Sequence, residues 1–405
     1  MRVLLIDVNC KYSSTGKIVY DLYNRLNQSG HLAAICYGRG REIEEPNIYK
    51  FSSNIEVYCH ALLTRFTGLT GCYSPLATRR LLKFIESFQP DVVHIHELHA
   101  YFVNYGPVIE YLKKKRIKVI WTFHCEFMYT GKCGYAYDCE KWKTECGNCP
   151  QIREYPSSWF FDFTRKMHHD KKAMLNDLNN LTIVTPSQWL AGKVRQSFLG
   201  EKDIRVINNG VNHEIFKPRT YDHLRKHHEI GNEKTVLAVA PGLMDERKGG
   251  RKVLELAERF RGEQVKFILI GVDNPPEEVA ENVIALGRTT NQEELAEYYS
   301  MADLFLICSK MENFPTTCIE ALSCGTPVVG FDAGGTKETA PEGYGIFVPY
   351  GDMNKLEKAV RDFLDNPPKK EDINTSASEK YNKNRMMMEY LSLYKEVVSE
   401  KTPRR

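Results

Sequence analysis

The chain has 405 residues, with 55 Lys and Arg against 52 Asp and Glu, so its net charge is only +3. This length predicts two or three domains, and the near-neutral charge excludes both a disordered chain and binding to polyanions through bulk charge. No uncharged run approaches the ~20 residues that cross a bilayer. The N-terminal run Met1–Asp7 meets an acid too early for a signal peptide, so we expect folding in the cytosol.

In the first half, short apolar runs alternate with amphipathic helical segments, which is typical of a parallel sheet covered by helices. We expect a doubly wound domain over residues 1–207. Its predicted helix is Gly16–Gln28, and its predicted strands are Arg2–Val8, His31–Tyr37, Val92–His96, Lys118–Phe123 and Leu181–Thr185.

The second half repeats the pattern and predicts a second doubly wound domain over residues 208–380. We expect the two domains to face each other across a cleft at the carboxyl ends of their strands. A single long helix is predicted over Ala377–Glu400, which overlaps a separate C-terminal segment predicted over residues 381–405, and residues 401–405 are expected to fray. The predicted strands are Thr235–Ala240, Val265–Ile270, Val283–Leu286, Asp303–Cys308, Pro327–Phe331 and Gly345–Val348, and the helices are Gly250–Phe260, Gln292–Met301 and Thr316–Cys324.

The residues from Glu312 onward carry the strongest local signal. A buried strand should lead into a loop and then a helix with Pro315 in its first turn, where the missing amide costs nothing. The amides of Thr316 and Thr317 would form an anion site. Glu312 would lie near a transferred group and Glu320 near a ribose.

The plain alternative is a helix start with an ordinary acid and a salt-bridged glutamate. A glycosidase pair is less favoured, because a helix N-terminus keeps Glu312 charged.

Two turns at strand ends are further candidates for phosphate binding. Arg247 and Lys248 follow the strand Thr235–Ala240 and would neutralise a diphosphate, although a solvated charged turn also explains them. Ser13–Gly16 lies between the first strand and the first helix, where phosphates often approach. It matches neither nucleotide-binding fingerprint, and a tight turn without a ligand explains it equally well.

His124 ends a first-half strand and is a candidate hydrogen-bond donor or base. His94 and His96 end the neighbouring strand, and one of the three histidines is a candidate for a purely structural role.

Four cysteines cluster at Cys133, Cys139, Cys146 and Cys149, within a predicted insertion at about residues 125–165. Four thiols with one C-x2-C pair suit a closed structural zinc site that leaves no open position for catalysis. An iron–sulfur cluster and four reduced thiols in an aromatic-rich loop are the alternatives.

Three basic stretches lie in the first half: Lys113–Arg116, Arg79–Lys83 and Arg165–Lys172. Such runs are usually solvated faces. Because Trp159, Phe160, Phe161 and Phe163 lie beside the last of them, contact with an anionic membrane is the second interpretation.

These motifs together resemble the GT-B retaining glycosyltransferases of glycosyltransferase family 4, over essentially the full chain. The spacing Glu312…Glu320 with the residues up to Val329 is similar to that family's E-x7-E signature. Further similar segments are the interdomain run Ile207–Asn212 with Phe216–Pro218 and the Gly-Gly loop Gly334–Glu338. His124 with the cysteine cluster is similar to a subgroup from bacterial polysaccharide biosynthesis, in which a His-Asp dipeptide is common; here Cys125 replaces the Asp.

The resemblance implies roles for single residues. Gly16 would approach the donor phosphate, Lys248 would pair with the diphosphate, and Glu320 would bind the ribose. His124 and Glu312 would be the catalytic residues, with His124 over the reacting sugar. The implied donor-binding set is Gly16, Asn209, Arg247, Lys248, Asn313, Phe314, Pro315, Thr316, Thr317 and Glu320. The family often has an arginine six residues before the lysine; here that position is Gly242, so Arg247 is the candidate replacement.

The sequence therefore predicts a hexosyltransferase that moves a sugar, with anomeric retention, from a UDP- or GDP-sugar to a glycan or lipid-linked saccharide. We expect catalysis without a divalent ion, in the cytoplasm, with peripheral contact to the plasma membrane as a further expectation. A nucleotide-sugar epimerase on the same fold and a non-catalytic zinc-loop binding module are the alternatives. Nucleic-acid binding is not expected at a net charge of +3.

Overall fold

The computed structural model describes residues 1–274, 278–289 and 291–399. The chain divides into two units. The first comprises Met1–Ile207 together with the chain from Met387 onward, and the second comprises Asn208–Met386.

The first unit is built on a parallel sheet of seven strands: β1 (Arg2–Asp7), β2 (Leu32–Tyr37), β3 (Ile48–Lys50), β4 (Val92–Ile95), β5 (Lys118–Thr122), β6 (Leu181–Thr185) and β7 (Asp203–Val206). Their order is β3-β2-β1-β4-β5-β6-β7. The direction of winding changes between β1 and β4, and ligands usually bind at the carboxyl ends of the strands at such a switch point. The central strands are mostly apolar and buried because helices cover both faces of the sheet.

The helices of this unit begin and end where local chemistry predicts. Ser13 accepts a hydrogen bond from the Gly16 amide at the start of α1, and Ser53 and Glu56 form a capping box at the start of α2. The basic stretch near residue 114 is the last turn of α4, where lysines favour the helix dipole. The helices are α1 (Ser14–Gln28), α2 (Asn54–Thr67), α3 (Pro75–Phe88), α4 (Tyr105–Lys115), α5 (Thr164–Asn176) and α6 (Gln188–Arg195), with a 3-10 turn at Lys141–Lys143.

The second unit has a parallel sheet of six strands: β8 (Lys234–Val239), β9 (Val265–Ile270), β10 (Val283–Leu286), β11 (Leu304–Ile307), β12 (Val328–Asp332) and β13 (Gly345–Pro349). Their order, β10-β9-β8-β11-β12-β13, puts the switch point between β8 and β11. The helices are α7 (Asp222–His227), α8 (Gly250–Arg259), α9 (Gln292–Met301), α10 (Thr316–Ser323), α11 (Met353–Asp365) and α12 (Lys370–Lys380), with 3-10 turns at Glu246–Lys248 and Thr336–Thr339. Two doubly wound sheets confirm the predicted fold class.

The single C-terminal helix predicted over Ala377–Glu400 is wrong. Helix α12 ends at Lys380, and α13 spans Lys383–Ser399. Between them the backbone pairs with Val211, whose amide donates to the Tyr381 carbonyl at 2.8 Å and whose carbonyl accepts from the Lys383 amide at 3.1 Å. This bridge uses backbone groups that a continuous helix would need. Glu400 and the expected frayed end lie outside the described residues.

From Met387 onward, α13 belongs to the first unit. The Tyr390 hydroxyl lies 3.0 Å from Thr122 Oγ1, and the Tyr394 hydroxyl lies 2.6 Å from His94 Nδ1. All four side chains are buried, so the end of the chain completes the core beside β4 and β5. Within the described ranges, no helix is long and apolar enough to cross a bilayer.

Candidate functional site

Three predicted site residues meet at the switch point of the second unit. Lys248 ends the turn after β8, and Glu312 lies in the loop after the neighbouring strand β11. Lys248 Nζ donates to Glu312 Oε1 at 2.7 Å, and Arg247 Nη1 lies 3.3 Å from the same oxygen. Glu312 is only 9% exposed. We call these residues, Arg247, Lys248 and Glu312, the cation–glutamate cluster. It brings two positive charges to the place where α/β sheets bind ligands.

The Gly-Gly loop after β12 holds the backbone of Glu312. The Glu312 amide donates to the Ala333 carbonyl at 3.2 Å, and the Gly335 amide donates to the Glu312 carbonyl at 2.9 Å. Gly334 has φ +78°, and a Cβ there would lie 2.2 Å from the Glu312 carbonyl oxygen. Only glycine fits this close approach, so the loop orients the acid of the cation–glutamate cluster.

Helix α10 begins at Thr316, and Pro315 is its extended N-cap residue (φ −65°, ψ 118°) rather than part of its first turn. Within the part of the chain that the structure describes, no side chain caps this helix. The first amides of an α-helix have no acceptor inside the helix, so those of Thr316 and Thr317 suit an anion. Helix α10 follows the Glu312 loop directly in the chain.

Asn313 and Phe314 connect Glu312 to this helix and are both buried. The Phe314 carbonyl accepts a hydrogen bond from Asn209 Nδ2 at 3.4 Å, and the Phe314 ring packs against Tyr381 at a centroid distance of 6.0 Å. In this structure Asn209 therefore supports the loop through its backbone.

Glu320 lies in α10, and its Oε2 accepts a hydrogen bond from the Tyr299 hydroxyl at 3.1 Å. Burial, and then the charge of Glu320, raise the pKa of Tyr299 well above its usual value. The phenol therefore stays protonated and donates to the carboxylate. This contact orients Glu320, while a carboxylate can still accept further hydrogen bonds.

Gly242 lies in a turn whose backbone suits glycine. Its φ is +61°, and a Cβ there would lie 2.7 Å from Asp245 Oδ2. A residue with a side chain would therefore be strained in this turn. Arg247, which lies five residues later and already contacts Glu312, places a guanidinium in the cation–glutamate cluster instead.

His124 lies after β5 of the first unit and contacts His96, which follows β4. His124 Nε2 is 3.0 Å from His96 Nδ1, and the two rings stack at 5.2 Å. His96 in turn lies 4.2 Å from His94, ring to ring. Both nitrogens of His94 have partners, Tyr394 and Thr122, so His94 is the structural member of the three.

Burial sets the protonation state of the three neighbouring histidines, His94, His96 and His124. It lowers the pKa of His94 to about 3 and that of His96 well below its usual value. It also lowers the pKa of His124, which Glu97 partly raises again. All three rings are therefore neutral near pH 7. His124 alone of the three keeps a half-buried surface, so it is the member that a ligand can reach.

The sequence prediction missed acidic and thiol partners of His124 at the same edge of the sheet. Glu97 Oε2 lies 2.5 Å from His99 Nδ1 and accepts a hydrogen bond from the Cys125 thiol at 3.8 Å. Burial and the charge of Glu97 raise the pKa of Asp7, at the end of β1, to about 8. Glu97, His99 and Cys125 follow predicted strands and Asp7 lies near the end of one, and these positions were the signal available in the sequence.

Glu97, His99 and Cys125 are also the one group of three metal-ligand side chains within 4.8 Å of one another in the described ranges. Their mutual hydrogen bonds account for all three side chains without an ion. The described part of the chain thus gives no separate reason to place a metal beside His124.

The four clustered cysteines line one small cavity of about 20 Å³, together with Trp142 and Pro150. A hydrogen bond with Cys133 lowers the pKa of Cys149 to about 6, and the Gly131 amide donates to Cys146 Sγ at 3.2 Å. No three of these thiols lie within 4.8 Å of one another among the described residues. The thiols thus share a cavity without forming a closed ligand set.

Two buried lysines hold the same segment, and sequence reasoning missed both. Each ammonium is surrounded by backbone carbonyls, which offset the cost of its burial. Lys132 Nζ donates to the carbonyls of Ile152, Glu154 and Pro156 at 2.9, 2.8 and 2.6 Å. Lys171 Nζ donates to those of Phe127 and Thr130 at 2.6 and 3.0 Å. The lysines therefore tie the segment to itself and to α5.

Comparison with known proteins follows the two-unit division of the chain. The model of Glycosyltransferase Family 4 matches residues 15–215, and the model of Glycosyl transferases group 1 matches residues 220–380. The two models together account for most of the chain.

Two relatives align with this chain over most of their own length. The putative colanic acid biosynthesis glycosyl transferase WcaC of Escherichia coli K12 is 24% identical, over 88% of this chain and 89% of its own. An uncharacterized 41.2 kDa protein in the cps region of Klebsiella pneumoniae is 25% identical, over 87% of this chain and 92% of its own.

Solved structures match at the level of the fold. Sucrose-phosphate synthase from Thermosynechococcus elongatus superimposes with a TM-score of 0.69 at 18% identity, covering 98% of both chains. Anabaena HepE, solved in complex with UDP and glucose, gives a TM-score of 0.66 at 14% identity, covering 98% of this chain and 99% of its own. The sheets, the two family models and these likenesses agree: the chain belongs to glycosyltransferase family 4, has the GT-B fold and transfers a sugar from a nucleotide-sugar donor.

Proposed function

We propose that this enzyme is a retaining hexosyltransferase of bacterial polysaccharide biosynthesis. Its donor would be a UDP- or GDP-sugar, and its acceptor a hydroxyl of a glycan or lipid-linked saccharide. The names of the colanic acid and cps-region relatives support the pathway, and the UDP complex of Anabaena HepE supports a uridine donor. The observation that carries the proposal is the cation–glutamate cluster at the β8–β11 switch point.

The donor diphosphate would bind at Lys248, Arg247 and the first amides of α10. Without a donor, the two cations neutralise Glu312; with one, they would share their charge between Glu312 and the diphosphate. Cleavage of the bond to the sugar leaves negative charge on the diphosphate, and fixed cations and amides stabilise that charge. Glu320, held by Tyr299, would accept from the ribose hydroxyls, while Glu312 and the backbone of Asn313–Pro315 would contact the donor sugar.

We propose that the second unit binds the donor and the first unit the acceptor, with His124 as the residue that contacts the reacting sugar. His96 would orient His124 through the 3.0 Å contact between their rings. A neutral imidazole can both donate and accept a hydrogen bond, so it suits a sugar hydroxyl. Gly16, in the first turn of α1, would let the donor phosphate approach closely. Asn209 would hold the donor-binding loop at Phe314.

A panel of nucleoside diphosphates and their sugar conjugates tests the proposed function. We expect one diphosphate to raise the melting temperature selectively without added metal, because Lys248 and Arg247 supply the positive charge. A ligand that binds only the folded state must stabilise it. No shift at millimolar ligand would contradict the proposal, and donor turnover without an acceptor would indicate an epimerase.

We further propose that Cys133, Cys139, Cys146 and Cys149 hold one structural zinc ion. Thiolates are the ligands that structural zinc prefers, and all four line the same cavity, so that binding would draw together thiols that lie further apart in this structure. The ion would close the loop that Lys132 and Lys171 already fasten, with no part in the reaction.

We expect the purified enzyme to contain about one zinc per chain, and Cys139→Ser to lose the metal and lower the melting temperature by several degrees. Cys59→Ser is the matched control, because Cys59 is an exposed thiol on α2, outside the cluster. Mass spectrometry measures the metal content of the wild type and of both variants. A folded wild-type enzyme without zinc would contradict the proposal.

We place the enzyme in the cytoplasm, at the inner face of the plasma membrane. The aromatic residues Trp159, Phe160, Phe161 and Phe163 are all exposed, as the expected membrane contact requires.

A further inference from the structure

Helix α2 turns an apolar face to the outside. Its large exposed side chains are Ile55, Tyr58, Leu62, Leu63 and Phe66, with exposed fractions of 76, 75, 50, 43 and 44%. Their spacing of three, four, one and three residues puts them on one side of a helix. The opposite, buried side contains Val57, His60, Ala61 and Thr64, two of which are polar. A surface helix normally shows the reverse distribution.

A second segment extends this face. The Phe66 ring stacks on Phe160 at 5.6 Å and meets Trp159 edge-on at 5.2 Å. The Trp159 amide donates to the Arg65 carbonyl at 2.7 Å, so the backbone of the segment is fixed to α2. Phe160 and Phe161 are 67% and 55% exposed. We define the α2 patch as Ile55, Tyr58, Leu62, Leu63, Phe66, Trp159, Phe160 and Phe161. Contiguous apolar surface of this kind marks an interaction site.

The residues around the patch are predominantly basic. Residues 54–88 contain four Arg or Lys and two acids, and residues 159–172 contain the same numbers. One of the acids, Glu56, is turned toward α3, where its carboxylate accepts from the Ala77 amide at 2.7 Å and from the Arg80 side chain. Arg79 and Lys83 are exposed on α3.

A second basic group lies at the start of α5, shortly after Trp159–Phe161 in the chain. Arg165 and Lys166, at the start of α5, are exposed, and both are ion-paired, Arg165 with Glu145 at 3.3 Å and Lys166 with Asp170. The carboxylate of Asp162, just before them, accepts hydrogen bonds from the amides of Cys149 and Thr164. With Lys171 fully buried, the basic rim of the patch is Arg79 and Lys83, both exposed on α3, and it is complementary to a negatively charged surface.

We propose that the α2 patch docks on an anionic lipid bilayer, with its aromatic and aliphatic side chains among the lipid headgroups and its basic rim on the phosphates. A helix face that presents Tyr58 and Phe66, extended by the aromatic segment Trp159–Phe161 and flanked by lysine and arginine, is the pattern of an interfacial surface. The α2 patch would be the surface through which the enzyme binds at the membrane location proposed above, and this inference rests on that location. It does not depend on the nature of the transferred sugar.

Vesicle cosedimentation of the full-length enzyme tests the proposal. Vesicles of phosphatidylcholine alone and with phosphatidylglycerol should separate the apolar from the charge contribution, and we expect clear binding to the anionic vesicles. Tyr58→Ser with Leu62→Ser, and Phe160→Ser with Phe161→Ser, should each reduce binding about tenfold. Arg79→Glu with Lys83→Glu should reduce binding to the anionic vesicles only. Val398→Ser, an exposed apolar residue on α13, is the control and should leave binding unchanged.

Folding and donor binding are monitored separately. The replaced side chains are exposed, so the circular dichroism spectrum and the melting shift with the nucleotide should stay as in the wild type. A variant that keeps that shift but loses vesicle binding supports docking. The proposal is overturned if the wild type does not bind anionic vesicles, or if the Ser variants bind them as well as the wild type does. A dimer in light scattering that the Phe160 and Phe161 substitutions dissociate, without vesicle binding, would assign the patch to a second copy. Failure of the melting shift with docking intact would contradict the proposed function alone.

Discussion

Lys248→Ala is expected to lower kcat/KM for sugar transfer by about 10²- to 10³-fold, the usual loss when a group that stabilises developing charge is removed. Lys248 Nζ makes the shorter of the two cation contacts to Glu312, at 2.7 Å. Without it, Glu312 keeps only the Arg247 contact in the cation–glutamate cluster, and a diphosphate would face an uncompensated carboxylate. Transfer rates over a range of donor concentrations, together with the melting shift, measure both losses.

Arg251→Ala is the matched control for this substitution. Arg251 lies on the exposed side of α8, three residues after Lys248, so its removal changes the net charge equally and leaves the cluster intact. We expect wild-type kinetics and a wild-type melting shift. If Lys248→Ala kept more than a tenth of the activity and the full shift, the diphosphate would not bind at this cluster.

His124→Ala is expected to lower the transfer rate by about 10²- to 10⁴-fold, the range for loss of a positioned proton-transfer or hydrogen-bonding group. Donor binding by the second unit should be unchanged, so the melting shift with the nucleotide should remain. His169→Ala, which removes an exposed histidine of α5 in the same unit, is the control. Loss of the melting shift in His124→Ala would indicate damage to the fold rather than to catalysis.

The pH profile gives a second readout for His124. Because burial lowers its pKa below the ordinary 6.5, the neutral ring should persist from pH 8 to pH 6.5. The wild-type rate attributable to this group should fall only at lower pH, as the ring becomes protonated. A profile that already falls between pH 7.5 and pH 7 would contradict a neutral, buried His124. The residual rate of His124→Ala should lack the acidic limb.

The strands at the centre of each sheet were predictable because their side chains are buried on both faces and leave long apolar runs. Val265–Ile270 and Leu181–Thr185 match the predicted ranges. The edge strands of the second sheet, β10 and β13, were also predicted. Those of the first sheet carry no such signal: β3 (Ile48–Lys50) has three residues, and β7 (Asp203–Val206) alternates charged and apolar side chains. The end of helix α12 at Lys380 could not be predicted from the sequence either, because it depends on backbone pairing with Val211, a residue far away in the chain.

The site residues were predictable where they follow a strand and belong to a recognisable motif. Arg247, Lys248 and Glu312 were assigned to one site, but their ion pairs depend on the order of β8 and β11 in the sheet. Glu97 had no motif, and its partners His99 and Cys125 belong to two different loops. Lys132 was missed for another reason. A lysine usually lies at the surface, and only the fold shows its ammonium enclosed by three carbonyls.

The hydrogen bonds of Tyr390 and Tyr394 with Thr122 and His94 have a consequence for synthesis on the ribosome. The first unit to emerge remains incomplete until the last residues of the chain have been made, because those tyrosines fill its core. The second unit has all its residues before then. Maturation of the nascent enzyme should therefore end with the first unit, and a released chain truncated just before Tyr390 should have a protease-sensitive N-terminal half.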